Sequence, residues 1–102
     1  MRILAIDPGE KRLGLALSDP TGAIARPLTT LRHISRAIDA AAIAQIAAEN
    51  EVGLIVVGQA LDEDNRPTPQ SRKAARLAQA LREQTTIPVV LWAESGSTHA
   101  AR

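Results

Sequence analysis

A continuous apolar run in the middle of the chain sets the strongest limit on its fold. The run reads Leu54-Ile55-Val56-Val57, and Gly58 ends it. Such a run is typical of a central strand in a parallel sheet that is covered on both faces. The segments before and after it have helical patterns, which favours an α/β fold with helices packed on the faces of the sheet.

Two segments have the signals of helices. Ser35 is a good N-cap and predicts a helix from about Arg36 to Glu51. Thr68 followed by Pro69 predicts an N-cap and a first helical residue, with a second helix that ends near Gln84. The apolar faces expected to pack on the sheet are Ile34, Ile38, Ala42 and Ile46, with Ile43 and Ala47 beside them, in the first helix, and Ala74, Leu77, Ala78 and Leu81 in the second.

Four further strands are predicted around these helices. Their bounds are Arg2–Asp7, Arg12–Ser18, Ala23–Leu31 and Ile87–Trp92, the last of them buried. Pro8-Gly9 joins the first two as a hairpin, and Pro27 favours an edge position or a bulge for the third. The order β-β-β-α-β-α-β predicts a mixed sheet in one domain that spans residues 1–102.

Composition excludes several classes of protein. The 102 residues contain no cysteine, which rules out disulfides and thiolate metal sites. The net charge of +1 is too small to indicate nucleic-acid binding, so any basic surface depends on local clusters at Lys11-Arg12 and Arg72-Lys73-Arg76. No apolar run is long enough to cross a bilayer, and no signal-peptide pattern is present. We therefore expect a cytoplasmic protein.

Two acidic residues follow predicted strands and form the candidate site. Asp7 ends the first strand beside a glycine turn, and Glu94 follows the last strand. Since ligands bind at the carboxyl ends of strands in open α/β sheets, Asp7, Gly58 and Glu94 are expected to converge. Carboxylate oxygens are suitable ligands for a hard cation.

Three blocks of residues resemble the YqgF family of RNase H-like nucleases, also described as Holliday-junction-resolvase-like. The first block comprises Asp7-Pro8-Gly9, Lys11-Arg12-Leu13-Gly14-Leu15-Ala16, Ser18-Asp19-Pro20 and Pro27-Leu28. The second is Val56-Val57-Gly58, and the third runs from Trp92 to Thr98. The family is linked to maturation of the precursor of small-subunit ribosomal RNA.

The resemblance implies an RNase H-like fold and a metal-dependent endonuclease. Its implied substrate is structured RNA, with a role in processing the 5′ end of pre-16S rRNA. Asp7 and Glu94 are then the catalytic residues and the ligands of Mg²⁺ or Mn²⁺. The nucleic-acid contacts assigned with it are Lys11 and Arg12. Arg72 and Lys73 are assigned as further contacts at the rim of an RNA-binding surface, and an ordinary solvated helix face is the alternative for them.

The sequence departs from the family pattern in its last third. Ala93 and Ser95 stand where the family has Asp and Arg on either side of Glu94, and Gln59-Ala60 replaces Leu-Pro. The family continues past this point into a helix with another catalytic acid, whereas this sequence stops at Arg102. The sequence is therefore expected to be either a fragment or a shortened relative, and its expected fold lacks the C-terminal helix. The apolar sheet surface left uncovered predicts self-association, as a homodimer.

Other functions stay open at this point. Resolution of branched DNA would use the same chemistry, and a nucleic-acid-binding relative that has lost catalysis is a second alternative. A nucleotide-binding domain of the actin and sugar-kinase type would need a partner domain.

Asp19 is expected to stabilise a turn, and the acids Asp62, Glu63 and Asp64 to lie solvated beside the substrate groove.

Overall fold

The computed structural model describes residues 1–21, 25–64 and 66–94, which form a mixed α/β structure. The elements are β1 (Arg2–Pro8), β2 (Arg12–Ser18), β3 (Ala25–Arg32), α1 (Arg36–Glu49), β4 (Val52–Ala60), α2 (Pro69–Gln84) and β5 (Val89–Glu94). Their order confirms the predicted β-β-β-α-β-α-β arrangement.

The strands form one sheet in the order β3-β2-β1-β4-β5. β1 pairs antiparallel with β2, and β2 pairs antiparallel with β3. The pairs β1–β4 and β4–β5 are parallel. β3 is an edge strand, as Pro27 predicted. Proline has no backbone N–H group to donate to a neighbouring strand, so it is tolerated at the edge of a sheet. The parallel arrangement brings the carboxyl ends of β1, β4 and β5 to one edge of the sheet.

Both helices begin at the predicted caps. The Ser35 hydroxyl accepts the Ile38 N–H at 3.2 Å. The Thr68 hydroxyl accepts the Ser71 N–H at 3.0 Å, and the Ser71 hydroxyl accepts the Thr68 N–H at 2.7 Å. These bonds satisfy amides that have no partner inside a helix. No helix in the described part of the chain is long and apolar enough to cross a membrane.

Both helices pack on the same face of the sheet. The buried cluster joins alternate strand residues to the inner faces of α1 and α2; its largest fully buried members are Leu4, Ile43, Ile55, Leu81 and Val57. Because neighbouring residues of a strand point to opposite faces, the residues between them lie on the other face. That second face, the open face, is not covered by either helix.

The prediction for the buried face of α1 was wrong by one residue. Ile34 and Ile38 are 64% and 51% exposed. The buried residues of α1 are Asp39, Ala40, Ile43 and Ala47. Ile38, Ala42 and Ile46 each lie one residue before the buried row, and Ile46 is only partly buried at the border of the core.

The prediction that β4 and β5 are buried on both sides was also wrong. Val89 is buried, but Val90 is 42% exposed and Trp92 is 56% exposed. In β4, Ile55 and Val57 are buried, whereas the residues beside them are only half-buried. The physical reason is the placement of both helices on one face, which leaves the alternate residues on the open face.

Candidate metal and nucleic-acid site

Asp7 lies near the carboxyl end of β1, where the chain makes a tight turn into β2. The Gly9 N–H donates to the Arg12 carbonyl at 2.9 Å and closes this turn. A Cβ atom on Gly9 would lie 2.6 Å from the same carbonyl oxygen, so the turn requires glycine. The turn leaves the Asp7 side chain exposed on the open face.

Glycines flank Asp7 on both neighbouring strands. Asp7 pairs with Gly14 of β2, and a Cβ atom on Gly14 would lie 3.9 Å from the Asp7 Cβ. The pairing of β1 with β4 extends to Ile6 and Val57, so Gly58 follows at the level of Asp7. With no side chain on either side, the carboxylate borders an open depression of about 530 Å³. Among the residues that line the depression are Asp7, Gly14, Thr30, Val56, Gly58 and Trp92.

The Asp7 carboxylate is available to a ligand. Within the described residues, no hydrogen bond engages its oxygens, and the one side-chain ion pair joins His33 to Asp39 instead. A carboxylate with free lone pairs at the end of a strand can accept a hard cation.

Glu94 is the last residue of β5, where it pairs with Ala60. One pair earlier on that face, Trp92 is opposite Gly58. The backbones of Asp7 and Glu94 therefore lie at the same edge of the sheet, separated by β4, as the sequence predicted. The Glu94 side chain and residues 95–102, including Ser95, Ser97 and Thr98, lie outside the described residues. Residues that are described include no cluster of three or more acidic or histidine side chains able to hold a metal, so a shared cation site for Asp7 and Glu94 stays a prediction.

The predicted basic residues occupy two places around the turn that follows Asp7. Lys11 and Arg12 are exposed and line a groove at the end of β2. Lys73, in the first turns of α2, lines a smaller cavity of about 200 Å³ together with Pro8 and Gly9. Arg72 is exposed beside it. The fold therefore brings Lys11, Arg12 and Lys73 to the same turn from opposite sides.

Two other acids, Asp62 and Asp19, have local structural contacts. Asp62 Oδ1 accepts the N–H groups of Asp64 at 2.9 Å and Arg66 at 2.8 Å, which holds the loop before α2 together. Asp19 Oδ1 accepts the Thr21 N–H at 3.1 Å and its hydroxyl at 2.7 Å. These contacts support the structural role that the sequence indicated for Asp19.

One polar pair was missed by sequence reasoning. Asp39 is only 4% exposed, and its Oδ2 accepts a hydrogen bond from His33 Nδ1. Its Oδ1 accepts the Ile34 N–H at 3.1 Å. The available signal was an acidic residue one turn before Ile43, on a helix face that is otherwise apolar.

Comparisons with known proteins agree with this architecture. Residues 1–102 match the model of the RuvX family, described as Holliday junction resolvase. The chain is 41% identical over 98 residues to a protein of Thermoanaerobacter pseudethanolicus named "Putative pre-16S rRNA nuclease", covering 96% of this chain and 70% of that one. It is 43% identical over 101 residues to a protein of the same name from Anaeromyxobacter sp. (strain Fw109-5), covering 99% of this chain and 74% of that one.

A solved structure shares the fold. The Thermus thermophilus RuvC in complex with a Holliday junction substrate superposes with a TM-score of 0.62 at 17% identity, covering 95% of this chain and 66% of that chain. At this identity the likeness shows the RNase H-like fold alone. The family match along all 102 residues shows that the chain belongs to the RuvX family. These are the YqgF-type nucleases that its first block of residues resembles.

Proposed function

We propose that this chain is a divalent-metal-dependent endonuclease that hydrolyses phosphodiester bonds in structured RNA, in the processing of the 5′ end of pre-16S rRNA. One observation carries the proposal: Asp7 presents an unengaged carboxylate between Gly14 and Gly58, at the carboxyl edge of an open sheet face. The name of the relatives supports the RNA substrate. Such a role is consistent with a cytoplasmic protein that works as a single domain.

Asp7 and Glu94 are the proposed ligands of Mg²⁺ or Mn²⁺. Mg²⁺ is commonly held by one or two carboxylates, with waters and substrate phosphate oxygens in its other positions, so two acids suit a site that is completed by RNA. The cation would supply positive charge to the phosphate under attack and to the leaving oxygen. Asp7 contributes by placing its carboxylate at the border of the open depression of about 530 Å³.

The basic residues around the turn are the proposed phosphate contacts. Lys11 and Arg12 would contact the substrate from the groove at the end of β2. Lys73 and its exposed neighbour Arg72 would contact it from the α2 side. Contacts of this kind fix the position of a nucleic acid without reading its sequence. They would hold the scissile phosphate at Asp7 for many different RNA sequences.

Two other functions have specific support. The family description favours a branched-DNA resolvase, which would use the same carboxylates on a different polymer. The family has an Asp where this chain has Ala93, so the site has one acid fewer to hold a cation. This difference favours a relative that binds nucleic acid without cleaving it.

Cleavage of a labelled pre-16S rRNA 5′ segment in Mn²⁺ tests the proposal. We expect the unmodified chain to cut the RNA and Asp7→Asn to be inactive. The matched control Asp64→Asn, an exposed loop acid, should cut normally. A four-way DNA junction is assayed in parallel. Cutting of the junction alone would favour the resolvase, and RNA binding without cutting would favour the non-catalytic relative.

We also propose that the chain pairs with a second copy through the open face. Val90 is 42% exposed there, in the edge strand β5, and it does not line the depression that holds Asp7. Burying this apolar area against another copy would stabilise a dimer.

A further inference from the structure

A basic groove lies at the end of the β2–β3 ladder, next to the depression that holds Asp7. Its volume is about 800 Å³, and its lining residues are Glu10, Lys11, Arg12, Thr30, Arg32 and His33. We call it the arginine groove. Thr30 also lines the depression, so the groove and the depression share a wall. A ligand bound at Asp7 can therefore continue into the arginine groove.

Two arginines face each other across this groove. Arg12 and Arg32 are register partners on β2 and β3, and both are exposed. Like charges directly opposite on neighbouring strands destabilise a sheet. Neither guanidinium is in an ion pair with a carboxylate among the described residues, although Glu10 lines the same groove. The pairing has no explanation within the fold, whereas an anion bound between the two arginines would explain it.

The backbone around the pair is fixed from several directions. The His33 N–H donates to the Lys11 carbonyl at 2.8 Å and extends the β2–β3 pairing by one step. The His33 ring is held in turn by the buried carboxylate of Asp39. On the other strand, the Arg12 carbonyl accepts the Gly9 N–H. The fixed backbone sets the separation of the two arginine Cα atoms before an anion binds, so only the side chains have to be ordered.

We propose that Arg12 and Arg32 form a clamp for a backbone phosphate of the RNA, with Arg32 as a phosphate-binding residue in its own right. Asp7, Gly14 and Thr30 form one row across the sheet, and the arginine pair forms the row two residues earlier in β2. Two residues of a strand span about 7 Å. The clamp would therefore hold the RNA backbone about this distance from the phosphate that is bound at Asp7. This inference rests on the proposed function, because it takes RNA as the ligand.

Equilibrium binding without divalent cations tests the clamp. A fluorescent RNA hairpin is titrated in EDTA over a series of salt concentrations, with Arg32→Gln compared with Arg26→Gln. Arg26 is exposed on the same strand but pairs with Leu17 at the far end. We expect Arg32→Gln to weaken binding about tenfold. The plot of log K for binding against log salt concentration should become shallower by about 0.7, because one phosphate contact is lost. Arg26→Gln should change neither quantity.

Arg32→Lys separates charge from geometry. It should keep the salt slope and still bind less tightly, because an ammonium group lacks the planar fork of the guanidinium. The clamp is disproved if Arg32→Gln matches the unmodified chain in both affinity and slope. Because binding is measured without cleavage, the two proposals can fail separately. RNA that is bound but never cut would defeat the nuclease proposal alone, and normal binding by Arg32→Gln would defeat the clamp alone.

Discussion

Asp39 holds His33 by a hydrogen bond between its buried carboxylate and the imidazole Nδ1. The other carboxylate oxygen accepts the Ile34 N–H at 3.1 Å. A single side chain thus fixes the three-residue connection between the end of β3 and the start of α1. Arg32, the last residue of β3, directly precedes this connection. The hydrogen bonds of Asp39 therefore help to fix the backbone of the arginine groove and also stabilise the fold.

Replacing Asp39 should destabilise the protein substantially. Asp39→Ala removes the acceptor of two hydrogen bonds and leaves the Ile34 amide unsatisfied, which should cost about 3 kcal/mol of unfolding free energy. Denaturant unfolding followed by circular dichroism measures the change. Glu63→Ala, at an exposed acid, should change stability by less than about 0.5 kcal/mol. Similar losses in the two variants would show that the carboxylate does not anchor the connection.

The two glycines around Asp7 should respond differently to the same substitution. Gly9→Ala places a Cβ atom 2.6 Å from the Arg12 carbonyl oxygen and should cost about 2 kcal/mol of unfolding free energy. Gly14→Ala meets its nearest atom at 3.9 Å and should change stability by less than about 1 kcal/mol. Thermal unfolding of both variants tests this ranking, and equal melting temperatures would contradict the tight turn.

The fluorescence of Trp92 should show whether RNA binds in the depression. Trp92 is the one tryptophan of the chain and is 56% exposed beside Asp7. Acrylamide should quench its fluorescence efficiently in the free protein and less efficiently at saturating RNA, because bound RNA covers the depression. Asp7→Asn should show the same protection, since covering the tryptophan needs binding and not cleavage. Unchanged quenching at saturation would place the RNA elsewhere.

Local chemistry explains why the sequence predicted the elements well. Ser35 and Thr68 cap their helices through their own hydroxyls, and Pro27 restricts its strand to an edge, so neighbouring residues settle these features. The position of Asp7 and the meeting of strand ends followed from strand order. The predictions of the helix caps and of the edge strand needed no knowledge of long-range packing.

The errors came from questions that only long-range packing answers. An apolar run such as the one in β4 does not reveal that both helices cover the same face, so the exposure of Trp92 was missed. The polar pair of Asp39 and His33 has no periodicity that would attract notice. The pairing of Arg12 with Arg32 depends on the register of β2 and β3, which shifts between Leu15 and Ala16.

Self-association should depend on the open face. Val90→Glu places a charge in the apolar surface that we propose to be shared between copies, and it should shift a dimer to monomer in sedimentation velocity. Ile38→Glu is the matched control, because Ile38 is 51% exposed on α1, a helix that packs on the covered face. The control should leave the dimer intact. A dimer that survives Val90→Glu would contradict the open-face interface.

The most direct test of the shared cation is a Mn²⁺ titration, by electron paramagnetic resonance, of four proteins: the unmodified chain, Asp7→Asn, Glu94→Gln and the double variant. Each single variant should bind Mn²⁺ at least about tenfold more weakly, since each removes a charged oxygen ligand. If both acids hold one cation, the double variant should lose less affinity than the product of the two single losses. A Glu94→Gln variant that binds Mn²⁺ as tightly as the unmodified chain would contradict a cation held jointly by Asp7 and Glu94.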